Sequence, residues 1–250
     1  MTMTRKIVEI ENLKREFVMG EETVRALKGV SFSINSGEFV TIMGSSGSGK
    51  TTLLNILGCL DRPTAGKYLL DNVDVSQLEK DALAELRNRK IGFVFQAYNL
   101  LPRTSALENV EMPMLYNKTI PSRERHDRAM EALKTVGLEN RAHHMPNQLS
   151  GGQQQRVAIA RALVSEPVIV LADEATGNLD SRTSYEIMAL MQDLNQQGKT
   201  IIFVTHEPDI AAFSHRTIFL RDGRIQKDVL NTEKRSARET IAALPDLDNI

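Results

Sequence analysis

The sequence predicts an α/β fold built on a mostly parallel sheet, and three observations carry that expectation. Apolar, β-branched runs recur at 38–43, 91–96, 168–173 and 200–206, continuous as befits strands buried on both faces. Segments with helical spacing separate them, and alternation of strand and helix is the pattern of a parallel sheet. The first of these runs leads straight into a glycine-rich loop, Gly44 to Thr51, and the carboxyl edge of such a sheet is where ligands bind.

Taken in order, IVEIENL at 7–13 and VSFSI at 30–34 alternate, and the second meets the turn Asn35-Ser36-Gly37, which predicts an N-terminal antiparallel β subdomain. After the loop, 51–60 has the spacing of a buried helix ended by Asp61-Arg62-Pro63. GKYLLDNVDV at 66–75 reads as a second strand pair, and 79–89 as an amphipathic helix. Residues 105–165 read as almost wholly helical, with a start at Pro121-Ser122 and a break at Gly137, so an inserted α-helical subdomain is expected at about 97–165. A helix at 182–197 separates the last two core strands. Asp222-Gly223, between short alternating runs, is a hairpin turn. One domain is expected over 1–230, followed by a polar tail at 231–250 with a helical segment near 239–244 and no assignable role.

Composition excludes several classes. Lys+Arg is 31 against Asp+Glu 32, a net charge of −1, so nucleic acid is not expected to be held by bulk electrostatics. The apolar runs fall far short of the roughly 20 residues that span a bilayer, and MTMTRKIVEIENLKREF lacks the apolar stretch of a signal peptide. The single cysteine, Cys59, allows no internal disulfide and fits a reducing compartment. A soluble chain is expected, with any membrane role supplied by a partner.

Gly44-Ser45-Ser46-Gly47-Ser48-Gly49-Lys50-Thr51 fits G-x-x-x-x-G-K-[S/T], with a strand before it and a helix after. Glycines let backbone N–H groups close on phosphates, and the helix that follows, with Thr52 in its first turn, adds its N-terminal dipole. Lys50 can reach the β- and γ-phosphates of a nucleoside triphosphate, and the Thr51 hydroxyl can ligate Mg²⁺. The run VIVLAD ends in Asp173 and Glu174. Asp173 is placed to hold Mg²⁺, and Glu174 to polarise the water that attacks the γ-phosphate, which points to a hydrolase. A third motif, Leu149-Ser150-Gly151-Gly152-Gln153, opens the amphipathic helix QQRVAIARAL and is a second anion-binding helix terminus.

Phosphate loop, LSGGQ and Asp-Glu strand, in this order and spacing, resemble the ATP-binding-cassette ATPases, a P-loop NTPase (RecA-like) family, over about residues 5–228. The resemblance implies ATP and Mg²⁺ as ligands and a head-to-tail homodimer. Ser150, Gly151, Gly152 and Gln153 would close over ATP held by the loop of the second copy. It matches Gln96 to a glutamine touching Mg²⁺ and the lytic water, and Asn178-Leu179-Asp180 to the loop that communicates across the dimer. It also matches His206 to a γ-phosphate contact and Phe17 to the aromatic stacked on adenine. His126, His143, His144 and His215 show no ligand spacing and are expected at the surface. Ala175 stands where many members have proline, which loosens a turn but removes no reacting group.

NILGCLDRPTAG, IGFVFQAYNLLP, NQLSGGQQQRVAIARAL and TGNLD are similar to the branch serving macrolide-type exporters and lipoprotein release. That branch implies a separate permease with four spans, a place at the cytoplasmic face of the membrane, and a docking groove around 96–102, where Tyr98, Leu100 and Leu101 could be interface or core. A soluble, non-transport switch is the alternative. Chromosome and repair types would need long coiled coils between phosphate loop and LSGGQ; the translation type would need two cassettes, and the excision-repair type zinc cysteines. A P-loop kinase would leave LSGGQ and His206 without a role, and a low-turnover dimerisation switch would leave Glu174 without one.

Overall fold

The computed structural model describes residues 5–117 and 120–245; the outermost residues of the expected domain and tail, 1–4 and 246–250, lie outside it. Two sheets organise the chain. Strands β1 (Lys6–Met19), β2 (Glu22–Asn35), β4 (Ala65–Leu70) and β5 (Val73–Asp74) form an antiparallel sheet in the order β2-β1-β4-β5. A six-stranded sheet has the order β10-β9-β3-β8-β7-β6, from β3 (Phe39–Met43), β6 (Ile91–Phe95), β7 (Ile169–Asp173), β8 (Thr200–Thr205), β9 (Arg216–Arg221) and β10 (Arg224–Leu230). All its pairings are parallel except β9 with β10. This is a P-loop NTPase fold.

The side-chain period of two divides the central strands between two cores. Phe39, Val170, Ala172, Ile201 and Phe203 face one hydrophobic cluster, which contains α3 (Ala106–Leu115), α4 (Ser122–Thr135), α5 (Gly151–Leu163) and α6 (Ser181–Gln196). Val40, Ile42, Ile169, Leu171, Ile202 and Val204 face the other, shared with the antiparallel sheet and α1 (Lys50–Leu57). Both faces of the parallel sheet are covered, so its strands carry no polar alternation.

The N-terminal hairpin is longer than its alternating stretches predict. Each arm runs for 14 residues around a turn at Gly20, φ +64°, and its outer half carries exposed Val18 and Met19, so no buried face marks it in the sequence. Helix α1 stops at Leu57, earlier than expected, because Cys59 adopts φ +54°. Residues 96–105 form a loop ahead of the helical segment, and within 105–165 the chain is less helical than expected, with two short 3-10 turns at Glu139–Arg141 and Pro146–Gln148. Asp71-Asn72, both at positive φ, close β4 onto β5, a primed hairpin turn. Past β8, a short α7 (Pro208–Ala211) arises that periodicity does not announce.

The tail is fastened down. Helix α8 (Ala237–Ala242) packs on α6, and Gln192 of α6, largely buried, donates to the carbonyls of Phe213 and Arg235 while accepting from the N–H of Ala237. His215 departs from the expected surface position. It is half-buried, its N–H donates to the carbonyl of Phe39, and its Nε2 lies 2.9 Å from Lys234 Nζ.

Candidate functional site

The register of the parallel sheet sets Phe95 beside Asp173, Asp173 beside Val204, and Met43 beside Thr205. The carboxyl ends of β3, β8, β7 and β6 therefore carry, side by side, the phosphate loop, His206, Asp173-Glu174 and Gln96. A cleft of about 850 Å³ opens there, lined by Ser45, Ser46, Gly47, Gly49, Lys50, Thr51 and Thr52 together with Gln96, Asp173, Glu174 and His206.

Two glycines make the loop geometry possible. A Cβ on Gly44 would stand 2.3 Å from the carbonyl oxygen of Leu220, and one on Gly49, at φ +104°, would stand 2.7 Å from that of Ala26. The Ser48 side chain is buried and its carbonyl accepts from Gly223 N–H, which ties the loop to the β9–β10 turn. Lys50 Nζ donates to the carbonyls of Gly44 and Ser45 at 2.7 and 3.0 Å. The first turn of α1 holds no acidic residue, so its dipole faces the cleft uncompensated.

Opposite stand the carboxylates. Burial, and secondarily the charge of Glu174, push the Asp173 carboxyl above the usual carboxylate range, with Lys50 opposing. Glu174 adopts φ +44°, a conformation that costs a non-glycine residue ~1–3 kcal/mol and is found where surrounding structure imposes it. Here its N–H donates to Val204 O, its carbonyl accepts from Gly177 N–H, and His206 Nδ1 lies 2.9 Å from its Oε1. A carboxylate so held can accept a proton from a water in the cleft.

Not every expected residue joins this cleft. Gly44 and Ser48 support the loop from behind, and Phe17 lies outside the lining on the N-terminal hairpin. Arg15, held by two 2.8 Å bonds to Asp61, sits 4.4 Å from the centre of the Phe17 ring and covers one face. Ser150, Gly151, Gly152, Gln153 and Asp180 form a separate surface. Ser150 caps α5 in a capping box with Gln153, and Asp180 caps α6. The hydroxyl and N–H of Thr183 hold the Asp180 carboxyl below its usual range. A Cβ on Gly152 would stand 2.5 Å from Thr183 Cγ2, and one on Gly151 2.9 Å from the Tyr98 hydroxyl. The two glycines thus let α5 start against α6 and against the loop after Gln96.

Thr51, Gln96 and Asp173 offer oxygen donors, and no group of three or more His, Cys, Asp or Glu among the described residues could hold a metal by itself. A hard cation that keeps waters and shares phosphate oxygens, such as Mg²⁺, fits that sparse oxygen set.

Several supporting residues carry no motif. Gln155, fully buried, donates to the carbonyls of Phe95 and Ala175 and so bridges the ends of β6 and β7, steadying the turn where Ala175 stands. Arg161 donates to the carbonyls of Tyr98 and Asn99. Leu100 packs against the core while Leu101 is exposed. Only their positions two and eight residues beyond LSGGQ, on the same helix, could have drawn attention to Gln155 and Arg161. A second, largely apolar groove of about 900 Å³ lies between α2 (Lys80–Lys90), β6, α3 and α5, and includes Phe93, Phe95, Asn99, Met112, Tyr116 and Arg161.

Comparison with known proteins converges on one family. A family model described as ABC transporter matches residues 27–177. The ABC transporter ATP-binding protein YvrO of Bacillus subtilis is 53% identical over 222 residues, covering 89% of this chain and 96% of that protein. The macrolide export ATP-binding/permease protein MacB of Vibrio parahaemolyticus is 49% identical over 231 residues, covering 92% of this chain but 35% of MacB. Among solved structures, a dimeric post-hydrolysis state of the ATP-binding cassette MJ0796 of Methanocaldococcus jannaschii, bound to ADP and Pi, aligns with TM-score 0.81 and 50% identity over 90% of this chain and 98% of that one.

Proposed function

The chain belongs to the ABC transporter family and is an ATPase of that family, and from this premise we propose that two copies close head-to-tail around two ATP molecules to drive a separate membrane permease, in export or lipoprotein release. The observation that carries the motor reading is the convergence of the phosphate loop, Asp173, Glu174, His206 and Gln96 on one cleft at the carboxyl ends of four neighbouring strands.

In this reading the loop N–H groups and Lys50 hold the β- and γ-phosphates, and the second face of Phe17 takes the adenine. Thr51, Gln96 and Asp173 would hold Mg²⁺, which neutralises phosphate charge when bound. Glu174 accepts a proton from water as the water oxygen bonds to the γ-phosphorus and the bond from that phosphorus to the ADP oxygen breaks. His206, beside Glu174, is positioned to contact the γ-phosphate. Ser150 to Gln153 lie outside the cleft of their own copy, which supports their use on the ATP of the other; the MJ0796 cassette is itself dimeric. In MacB an ATP-binding part and a permease part share one name, and this chain matches about a third of it. No helix among the described residues is long and apolar enough to cross a membrane. The groove that includes Phe93, Met112 and Tyr116 is the surface we assign to the permease.

Light scattering of the Glu174→Gln protein tests the closure. With saturating ATP the mass should double, because the pair closes and cannot reopen through hydrolysis; a persistent monomer would refute the head-to-tail dimer.

A further inference from the structure

Gln96 is gripped by a residue from another strand end. Asn178 Nδ2 donates to the main-chain carbonyl of Gln96 at 3.1 Å, and Gln96 Nε2 donates to Asn178 Oδ1 at 3.1 Å. The order of these atoms follows from elementary chemistry. A main-chain carbonyl only accepts, so the Asn178 amide must turn its nitrogen toward it. Asn178 Oδ1 then faces the Gln96 side chain, which must answer with its own nitrogen. Gln96 Oε1 is the atom left pointing away from the pair.

That orientation has a use. A divalent cation binds the oxygen of a carboxamide, while the amide nitrogen presents hydrogens that repel it. A free glutamine could present either atom. Gly177 keeps the space for the grip, since a Cβ there would stand 2.7 Å from Gln96 Nε2. The same turn is anchored on Glu174, whose carbonyl accepts from Gly177 N–H at 2.9 Å. Asn178 and Gly177 are exposed, so the pair fills no core and packing does not account for it.

We propose that Asn178 is a positioning residue that locks the Gln96 carboxamide so that its oxygen, and not its nitrogen, is offered to the Mg²⁺ of bound Mg·ATP. The proposal rests on the assignment of Gln96 as a ligand of that ion. Residues behind a metal ligand typically govern affinity by tenfold or more.

The test is Mn²⁺ binding to the full-length chain, followed by electron paramagnetic resonance with a non-hydrolysable ATP analogue present. Asn178→Ala should weaken Mn²⁺ binding on the order of tenfold, and Asn178→Leu, similar in size but without donor or acceptor, should do the same. Affinity for the nucleotide in EDTA should be unchanged in both. In a Gln96→Ala background, Asn178→Ala should add nothing, because its effect runs through Gln96. If Gln96→Ala weakens Mn²⁺ binding but Asn178→Ala does not, the grip is irrelevant and the proposal falls while the ligand assignment stands. If Gln96→Ala has no effect, both fall. Loss of nucleotide affinity in EDTA would make Asn178 a structural residue and overturn the proposal.

Discussion

At Lys50 the ammonium has two carbonyl acceptors from its own loop, neutral partners that a triphosphate would replace with charged ones. Charge-assisted bonds of this kind contribute roughly 1.5–3 kcal/mol each, so Lys50→Ala is expected to lower kcat/KM for ATP by about 100-fold or more, read by phosphate release. Asp173 makes the opposite bargain. Burial and Glu174 raise its folded carboxyl above the ordinary range, so the folded chain binds a proton that the unfolded chain gives up first. Its contribution to stability is present below the ordinary aspartate range and is lost as pH rises through the raised value. At neutral pH its charge therefore opposes folding. Asp173→Asn should raise the melting temperature of the nucleotide-free chain, by about 2–4 °C if the relief is ~1 kcal/mol, while ATP turnover collapses; the gain should shrink on acidification. Calorimetry between neutral and mildly acidic pH measures both. Lys50, Thr51 and the two carboxylates were legible as a site because a motif places them in sequence. Asn178 and Gln155 were not legible as supports, since each acts on residues far away in the chain.

At the scale of elements, the site depends on how closely β6 and α5 approach. A Cβ on Gly92 would stand 2.2 Å from the carbonyl oxygen of Ala162, backbone against strand, with no flexible side chain to yield. Gly92→Ala is expected to destabilise by about 1–3 kcal/mol, the usual toll of overpacking, and to reduce turnover as well, because β6 leads into Gln96. Urea denaturation measures the first effect, and the m-value should stay constant. The elements themselves divide by how they are encoded. The parallel strands were readable because both faces are buried and the apolar runs are unbroken. The outer half of the β1–β2 hairpin was not, since main-chain pairing holds it and Val18 and Met19 remain exposed. The loop at 96–105 has no ladder of its own; Arg161 and Asn109 hold it by bonds to the carbonyls of Tyr98, Asn99 and Leu101 and to the N–H of Leu101.

At the scale of the whole molecule, the strand order β3-β8-β7-β6 brings together chain segments that begin at Gly44, Gln96, Asp173 and His206. The cap of α5, with Ser150 to Gln153, is held away from that edge, so one copy carries the phosphate loop and LSGGQ on different surfaces. Under the proposed function a second copy would complete each site, and the closure of the pair would drive a permease. Affinity purification from detergent-solubilised membranes is expected to retain a stoichiometric permease with four spans. Replacing Met112 and Tyr116 in the apolar groove by Glu should release it while leaving ATP affinity intact. Retention by the doubly charged groove would place the docking surface elsewhere, and absence of any membrane partner would favour the soluble switch.

The sequence by itself determined the chemistry: which residues can hold phosphate, which can take a proton from water, and that buried parallel strands carry them. Those properties are local, since a phosphate loop needs only its glycines, its lysine and the strand and helix on either side. Tertiary structure alone decided which residues share a cleft, which way the Gln96 amide faces, and that the tail is stapled to α6 through Gln192. Each of these rests on a few hydrogen bonds between groups far apart in the chain, and such pairings leave no periodic trace in the order of residues.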